Sequence, residues 1–454
     1  MTKYVIIGGS AGAVGAVEAI REVDPVGDIT VISEEPNYSY SRPMISDYLS
    51  GEANQEKMAF PTEDFWNKNK VQTLLLMKAV KLDLSQKTAE LENAEKINFD
   101  KLLIATGGKP FIPKMEGTTK KGVYNFATIL DTQQIDAAIT INNAQKAVVI
   151  GGGLIGVSAT EALVKRDLKV TIVELKNWIL NLVLDKEAAK IIETVMQKDD
   201  ISIITGRTVQ RILGREDNEG ASYDLIKAWA KEIGVKRILG KAGNEEAVGG
   251  VVLDNGTVIE CDMVVVAVGV IPRTELAAQT DLKLNRGILV DRFMQTSVPN
   301  VYACGDVAEA YDFINKTNRV LALWPVARIG GRVAGYNMAG KKCEYPGATA
   351  MSALNYFGVP IISVGLTTLD DAEGFETLIF HDKERHVYRK IALKDETIVG
   401  MTLVGDVESA GTIFNLMKNR INVERFKHKL IADDYSLASL PETLRKQILL
   451  GNVI

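Results

Sequence analysis

Cysteine is scarce in this chain: three residues, Cys261, Cys304 and Cys343, lie far apart and in no metal-ligand spacing. That excludes a disulfide scaffold and fits a reducing, cytoplasmic setting. Histidine is equally sparse, and His381, His386 and His428 all fall late in the sequence, which argues against a structural histidine–metal site. The longest apolar stretch, Met263 to Pro272, is roughly half of what a membrane helix needs. No basic-then-apolar signal segment opens the chain, because the strand-like run Lys3 to Ile7 starts almost at once. Lys and Arg total 53 against 58 Asp and Glu, a net charge of −5, so nothing points to nucleic acid or an anionic membrane.

What is present is a long, ordinary globular composition, 454 residues with 46% hydrophobic. At about 150 residues per domain, that length predicts three domains. Two segments read as strand, glycine turn, helix, strand: KYVIIGGSAGAVGAVEAI followed by DITVISEE, and KAVVIGGGLIGVSATEALVKRDLKVTIVE. They form an internal repeat spaced by a whole domain, from Gly8 to Gly151. The apolar run Phe99 to Gly108 and its echo, Cys261 to Pro272, have the composition of strands buried on both faces. Pro110 to Gly122 reads as a linker. Gly214 to Gly250 reads as an insertion with a short amphipathic helix, Tyr223 to Ile233. A helix is expected from Leu323 to Gly340, and a strand-rich region from near Tyr345.

The pattern Gly151-x-Gly153-x-x-Gly156 follows a clean strand and opens a helix through Leu154 and Ile155. In a dinucleotide site the first glycine permits a tight turn and the second lets backbone approach a pyrophosphate. The third allows close helix–strand packing. Glu174 ends the next strand, where a carboxylate can accept both ribose hydroxyls. A purely structural βα turn is the alternative. The acid favours NADH over NADPH, since no arginine follows in Leu175-Lys176-Asn177, although Lys176 weakens that argument. The first copy, Gly8-Gly9-Ser10-Ala11-Gly12-Ala13, is less regular, with Ser10 and Ala13 where the fingerprint has glycines; either Glu34 or Glu35 could hold an adenosine ribose. A third element, Thr296 to Asp306, sets Asp306 directly after a strand and Gly305, where it can bind a ribityl hydroxyl.

These motifs together carry a resemblance. The chain resembles the FAD-dependent pyridine nucleotide reductases of the glutathione-reductase-like superfamily over nearly its whole length. It does so through Gly8 to Ala13 with its acid, Ala105-Thr106-Gly107, and Thr296 to Asp306. Tyr40 to Ser46, with Arg42-Pro43 at its centre, is similar to the Arg-Pro signature of NADH-dependent rubredoxin reductases and the ferredoxin reductases of oxygenase systems. The resemblance implies Arg42 and Pro43 beside the flavin and Val80 touching adenine through its backbone. It also implies a cofactor contact at Gly269, in the later echo run. The thiol-using branches have a redox cysteine near the Arg-Pro position, or a Cys-x4-Cys pair and a C-terminal His-Pro; none of these is here. Asp47 stands where the oxygenase-type reductases have lysine, and Ser158 where they have an acid, so their lysine–glutamate pair is missing as a unit.

The expectation is an α/β protein with two Rossmann-like domains and a C-terminal α+β domain. FAD would occupy a discontinuous domain, residues 1–112 and 273–332, with an NAD domain at 113–272 and the third domain at 333–454. NADH would deliver hydride to flavin N5, with no catalytic residue beyond the flavin. Electrons would then leave to a one-electron carrier such as ferredoxin or rubredoxin. An NADH oxidase and a flavin-bound redox-sensing or scaffold protein are the rivals, and a homodimer is open. Trp324-Pro325 could line the flavin pocket, and the cysteines read as small packing residues. Lys109, Lys114, Lys120 and Lys121, or the stretch Lys383 to Lys390, could dock an acidic carrier; a solvated linker is the plainer account of the first group.

Overall fold

The structure is a computed structural model that describes residues 1–35, 39–62, 64–215, 247–369 and 374–449. Its α/β architecture rests on two five-stranded parallel sheets. The first has the order Val301–Ala303, Lys101–Ile104, Lys3–Ile7, Asp28–Ile32, Val71–Leu74. The second has the order Val123–Asn125, Met263–Val266, Lys146–Ile150, Lys169–Glu174, Ser202–Thr205. In both, the strand before the glycine turn lies at the centre, with apolar residues on both faces, as parallel sheets covered by helices require. Each sheet also carries a three-stranded antiparallel meander, Ala79–Asp83 to Lys96–Asn98 in the first unit and Val209–Gly214 to Val248–Leu253 and Val258–Glu260 in the second. The repeat seen in sequence is therefore a repeat of topology.

The fifth strands differ in origin. In the second unit it precedes the glycine turn; in the first it arrives as Val301–Ala303, long after the second unit is complete. The chain leaves the first unit and returns to it through one antiparallel ribbon, Gly108–Pro110 against Val270–Pro272. This splits each long apolar run into two strands: after Ile104 and after Val266 the backbone turns at Gly107 (φ +69°) and Gly269 (φ +122°). The stretch read as a linker is likewise partly paired, since Ile212 N–H donates to Glu116 O (2.9 Å) and Val248 N–H to Lys121 O (2.8 Å). The amphipathic piece Tyr223 to Ile233 lies outside the described residues.

The helix expected at 323–340 runs Trp324–Met338 and crosses the first glycine-turn helix, Ala11–Val23, with backbone against backbone. A Cβ on Gly331 would stand 2.0 Å from Gly12 O. Arg328 and Arg332 reach across this crossing to Glu18, at 2.8 and 3.0 Å.

The C-terminal unit is a five-stranded antiparallel sheet, Met351–Tyr356 to Thr397–Val404, backed by the helix Ala410–Lys418. It docks on the second unit through buried polar contacts. Lys390 Nζ meets Asp185 Oδ2 at 2.8 Å and Tyr388 Oη donates to the same oxygen at 2.7 Å, while Asp185 also caps the helix Lys186–Lys198. The stretch Lys383 to Lys390 is therefore only partly a surface: Lys390 is 4% exposed.

Candidate functional site

Both glycine turns open onto one continuous cavity of about 1680 Å³, larger than the roughly 300–1,000 Å³ of an ordinary small-molecule pocket. Each turn is built the same way. Gly8 (φ +115°) and Gly151 (φ +104°) adopt a backbone that disfavours a side chain, and a Cβ there would lie 2.0 Å from Ala105 O or 2.5 Å from Ala267 O. The chain is thus forced close to the end of the neighbouring strand, and the amide ends of the following helices face the cavity, where an anion is favoured. In the second turn, Gly153 is open on its Cβ side, whereas a Cβ on Gly156 would collide with Gly151 O at 1.9 Å.

The cavity gathers residues from every sequence motif: Gly8, Ser10, Ala11, Gly12, Glu34, Glu35, Arg42, Pro43, Val80, Ala105, Thr106, Gly107, Gly305 and Asp306 from the first unit, and Gly151, Gly153, Leu154, Ile155, Glu174 and Gly269 from the second. Two expected members do not line it. Ala13 is fully buried in the core behind its helix, and Gly156 is consumed by helix–strand packing.

The acids are already engaged by the protein. Glu34 pairs with Arg273, a residue the sequence reading missed; its own main chain accepts from Thr106 Oγ1 (3.0 Å) and its Nε donates to Gly108 O (3.1 Å). Glu35 pairs with Arg42 and accepts from Tyr40 Oη at 2.8 Å, and Arg42 also donates to Ala127 O at 3.1 Å. Glu174 accepts from the amides of Gly152 (2.6 Å) and Lys176 (2.7 Å), tying the glycine loop to the strand end.

Asp306, by contrast, has no side-chain hydrogen-bond partner among the described residues. Loss of solvent raises its carboxyl above the ordinary range, against the pull of the Arg42 charge. Trp324, which stacks edge-on against Phe60 at 4.4 Å, also lines the cavity, and its indole N–H is buried without a partner. A buried polar group is rarely left unpaired, so the indole N–H beside this cavity fits a polar ligand. That orphan group and the Asp306 carboxyl, with two helix amide ends facing a space of this size, suit FAD in the first unit and a nicotinamide dinucleotide in the second.

No cysteine is poised for chemistry. Cys304 packs over Gly12, and burial, then the nearby Asp306 charge, pushes its thiol up to about 12. Burial, then Asp262, likewise takes Cys261 to about 12, in the core of the second unit. Cys343 is half-buried, its amide held by Asn337 Oδ1 at 3.1 Å. At neutral pH the two buried thiols stay protonated and poorly nucleophilic. At the position of the missing lysine–glutamate pair, Ser158 Oγ lies 3.1 Å from Tyr356 Oη of the third unit, which donates to Leu154 O at 2.9 Å. Lys109, offered above as a docking charge, is paired with Glu275. Among the described residues no His, Cys, Asp and Glu cluster could hold a metal, and no helix is long and apolar enough to cross a membrane.

Comparison with known proteins agrees with this geometry. Residues 2–331 match the family model of pyridine nucleotide-disulphide oxidoreductases, and residues 351–421 that of the rubredoxin NAD+ reductase C-terminal domain. The chain is 32% identical to the epsilon subunit of NADH-dependent phenylglyoxylate dehydrogenase from Aromatoleum evansii, covering 95% of both. It spans only about half of two Bacillus subtilis relatives: 48% of a nitrite reductase [NAD(P)H] at 28% identity, and 51% of the assimilatory nitrate reductase electron transfer subunit at 26%. These alignments take in 93% and 96% of the chain. A NAD-dependent persulfide reductase from A. fulgidus superposes with a TM-score of 0.82 at 25% identity, over 99% of this chain and 83% of that one. Putidaredoxin reductase in its covalent complex with putidaredoxin shares the fold, with a TM-score of 0.81 at 21% identity over 99% and 98%. The chain belongs to the pyridine nucleotide-disulphide oxidoreductase family and is an FAD-dependent NAD(P)H oxidoreductase.

Proposed function

We propose that this chain moves electrons between NADH and an external one-electron iron–sulfur carrier of the ferredoxin or rubredoxin kind. One observation carries the reading: a single cavity joins both dinucleotide turns, and the thiols at and beyond its wall are buried or remote. Bound FAD supplies the conversion of a hydride pair into single electrons. Ser10, Ala11 and Gly12 would present amides to its pyrophosphate beside the turn made by Gly8, whose own N–H donates to Ile32 O at 2.8 Å; Asp306 would accept from its ribityl chain, and Arg42, Pro43 and Trp324 would wall the ring. Val80 offers main chain to the adenine. Gly151, Gly153, Leu154 and Ile155 cradle the nicotinamide dinucleotide, and Gly107 and Gly269 leave the space between the two cofactors open.

The names of relatives support a protein acceptor. A subunit of a larger dehydrogenase and an electron transfer subunit both align along almost the whole chain, and the C-terminal unit matches a rubredoxin reductase domain. With Lys109 and Lys390 already paired, Lys114, exposed beside Phe111 and Ile112 on the cavity rim, is the better docking charge.

Anaerobic turnover with a panel of ferredoxins and rubredoxins, with oxygen as the control acceptor, tests the proposal. Carrier rates should exceed the oxygen rate and fall with added salt, because steering across a Debye length of about 8 Å is screened. Oxygen consumption matching the best carrier would favour an NADH oxidase. Sluggish reduction by NADH with every acceptor would favour a redox-sensing module.

A further inference from the structure

We infer that Lys176 and Arg207 form a site for a 2′-phosphate, so that the second unit takes NADPH as well as NADH. The inference rests on the dinucleotide half of the proposed function and is independent of the acceptor. In a Rossmann unit the adenosine ribose lies at the end of the second strand, beside the acid there, and a nearby cation is what accommodates a 2′-phosphate. Here that strand ends at Glu174, and the sequence alone shows no arginine after it.

The fold brings one there. The neighbouring strand Ser202–Thr205 runs parallel and in register, Glu174 opposite Thr205, and the chain then turns at Gly206. Gly206 N–H donates to Lys176 O (2.8 Å) and Arg207 N–H to Glu174 O (3.2 Å), so Lys176 and Arg207 sit side by side across the two strand ends. Both side chains are exposed, and both residues line the cavity. Among the described residues Arg207 has one acid within reach, Asp254 at 4.0 Å, and the Lys176 ammonium has no ion-pair partner.

The acid at the strand end, Glu174, is turned to another task. Glu174 is 8% exposed, and each of its oxygens accepts a loop amide. The corner therefore presents two solvated cations, one of them with Asp254 at 4.0 Å, and a Glu174 carboxylate that accepts from two loop N–H groups. A carboxylate oxygen so bonded keeps a lone pair for a ribose hydroxyl, which leaves NADH acceptable. A phosphate can approach the cations from the solvent side, and the guanidinium can bind it with two parallel bonds.

The test is equilibrium titration of the FAD-loaded protein with NAD+, NADP+ and 2′-AMP, followed by calorimetry in wild type and in Lys176→Ala/Arg207→Ala. Taking the ratio of NADP+ to NAD+ affinity cancels any general loosening of the fold. The wild-type ratio should be 0.1 or higher, 2′-AMP should compete with NADP+, and the double variant should lower the ratio at least tenfold. Added salt should weaken NADP+ more steeply than NAD+. A wild-type ratio below 0.1, or a fall of less than tenfold in the variant, overturns the inference. Failure of NAD+ and NADP+ alike would instead remove the dinucleotide site itself.

Discussion

Asp306 offers the sharpest test of how the first unit holds its flavin. Its carboxylate faces the cavity at the turn Gly305–Val307 with no side-chain partner, and burial raises it above the ordinary carboxyl range, with Arg42 opposing. A hydroxyl donated by the flavin's ribityl chain would satisfy it. A hydrogen bond to a charged group contributes about 1.5–3 kcal/mol, so Asp306→Ala should weaken FAD binding about 10- to 150-fold. The pH dependence has a definite sign. In the flavin-free protein the raised carboxyl is still protonated somewhat above its ordinary value near 4; a donor hydroxyl favours the ionised form, so binding expels that proton. FAD affinity should then rise with pH from about 4 up to the raised value and level off above it. Asp306→Asn, which keeps the shape and removes the charge, should lose that slope. Reconstitution of flavin-free protein, followed by quenching of flavin fluorescence across pH 4–8, measures both effects. An alanine variant within threefold of wild type at pH 7, or an asparagine variant with the wild-type slope, would refute the reasoning.

Three further outcomes are expected. A variant with Cys261, Cys304 and Cys343 all replaced by Ser or Ala should keep NADH-driven flavin reduction wherever it retains FAD; loss of reduction at full FAD content would show a working thiol. Gly331→Ala should lower the thermal midpoint and the FAD content together, because its Cβ would meet Gly12 O at 2.0 Å and push the first helix off its turn; overpacking of this kind typically costs about 1–3 kcal/mol, and unchanged FAD content would contradict the coupling. Lys390→Met should destabilise by about 3–5 kcal/mol, the usual effect of stranding one partner of a buried pair, since Asp185 is buried with it; chemical denaturation followed in the C-terminal unit reads this, and a loss under 1 kcal/mol would mean that Asp185 is satisfied by Tyr388 and Ala188 alone.

Much of this architecture is legible in the sequence, because a glycine turn is a local event. Gly8 and Gly151 announce themselves through the apolar strand before and the small-residue helix after, and the structure places almost every residue of those motifs on one cavity. Gly12, Gly15, Gly331 and Gly335 show where the legibility stops. Gly12 belongs to the first glycine motif and the other three are unremarkable helical glycines in sequence, yet together they let two helices about 300 residues apart cross at backbone distance. Arg273 and Arg207 escaped the sequence reading for the same reason. Arg273 reaches Glu34 only because the chain returns to the first unit, and Arg207 reaches the ribose corner only because its strand lies beside Glu174. Lys390 was misjudged because a lysine in a charged stretch is usually solvated, and only docking of the third unit buries it.

The docking of that third unit bears on the chemistry. With the second unit it makes buried polar contacts: Lys390 and Tyr388 on Asp185, Ser363 Oγ on Val183 O at 2.6 Å, and Tyr356 on Leu154 O and Ser158. Leu154 opens the helix whose amide end faces the cavity, so Tyr356 fixes the carbonyl of the very residue that begins that turn. The first unit holds the far end of this helix, through Glu52 on Lys165 (2.9 Å) and Leu49 O on Arg166 (2.8 Å), while the C-terminal sheet holds the end at the cavity. Tyr356→Phe should then loosen NADH binding while FAD content stays full, because the lost hydroxyl orients only the second turn. The measurement is rapid-mixing reduction of the FAD-loaded variant over a range of NADH concentrations. A rise in the half-saturating concentration, with a smaller change in the limiting rate, would mark Tyr356 as a positioning residue; equal NADH dependence in both proteins would show that the helix needs no support from the third unit.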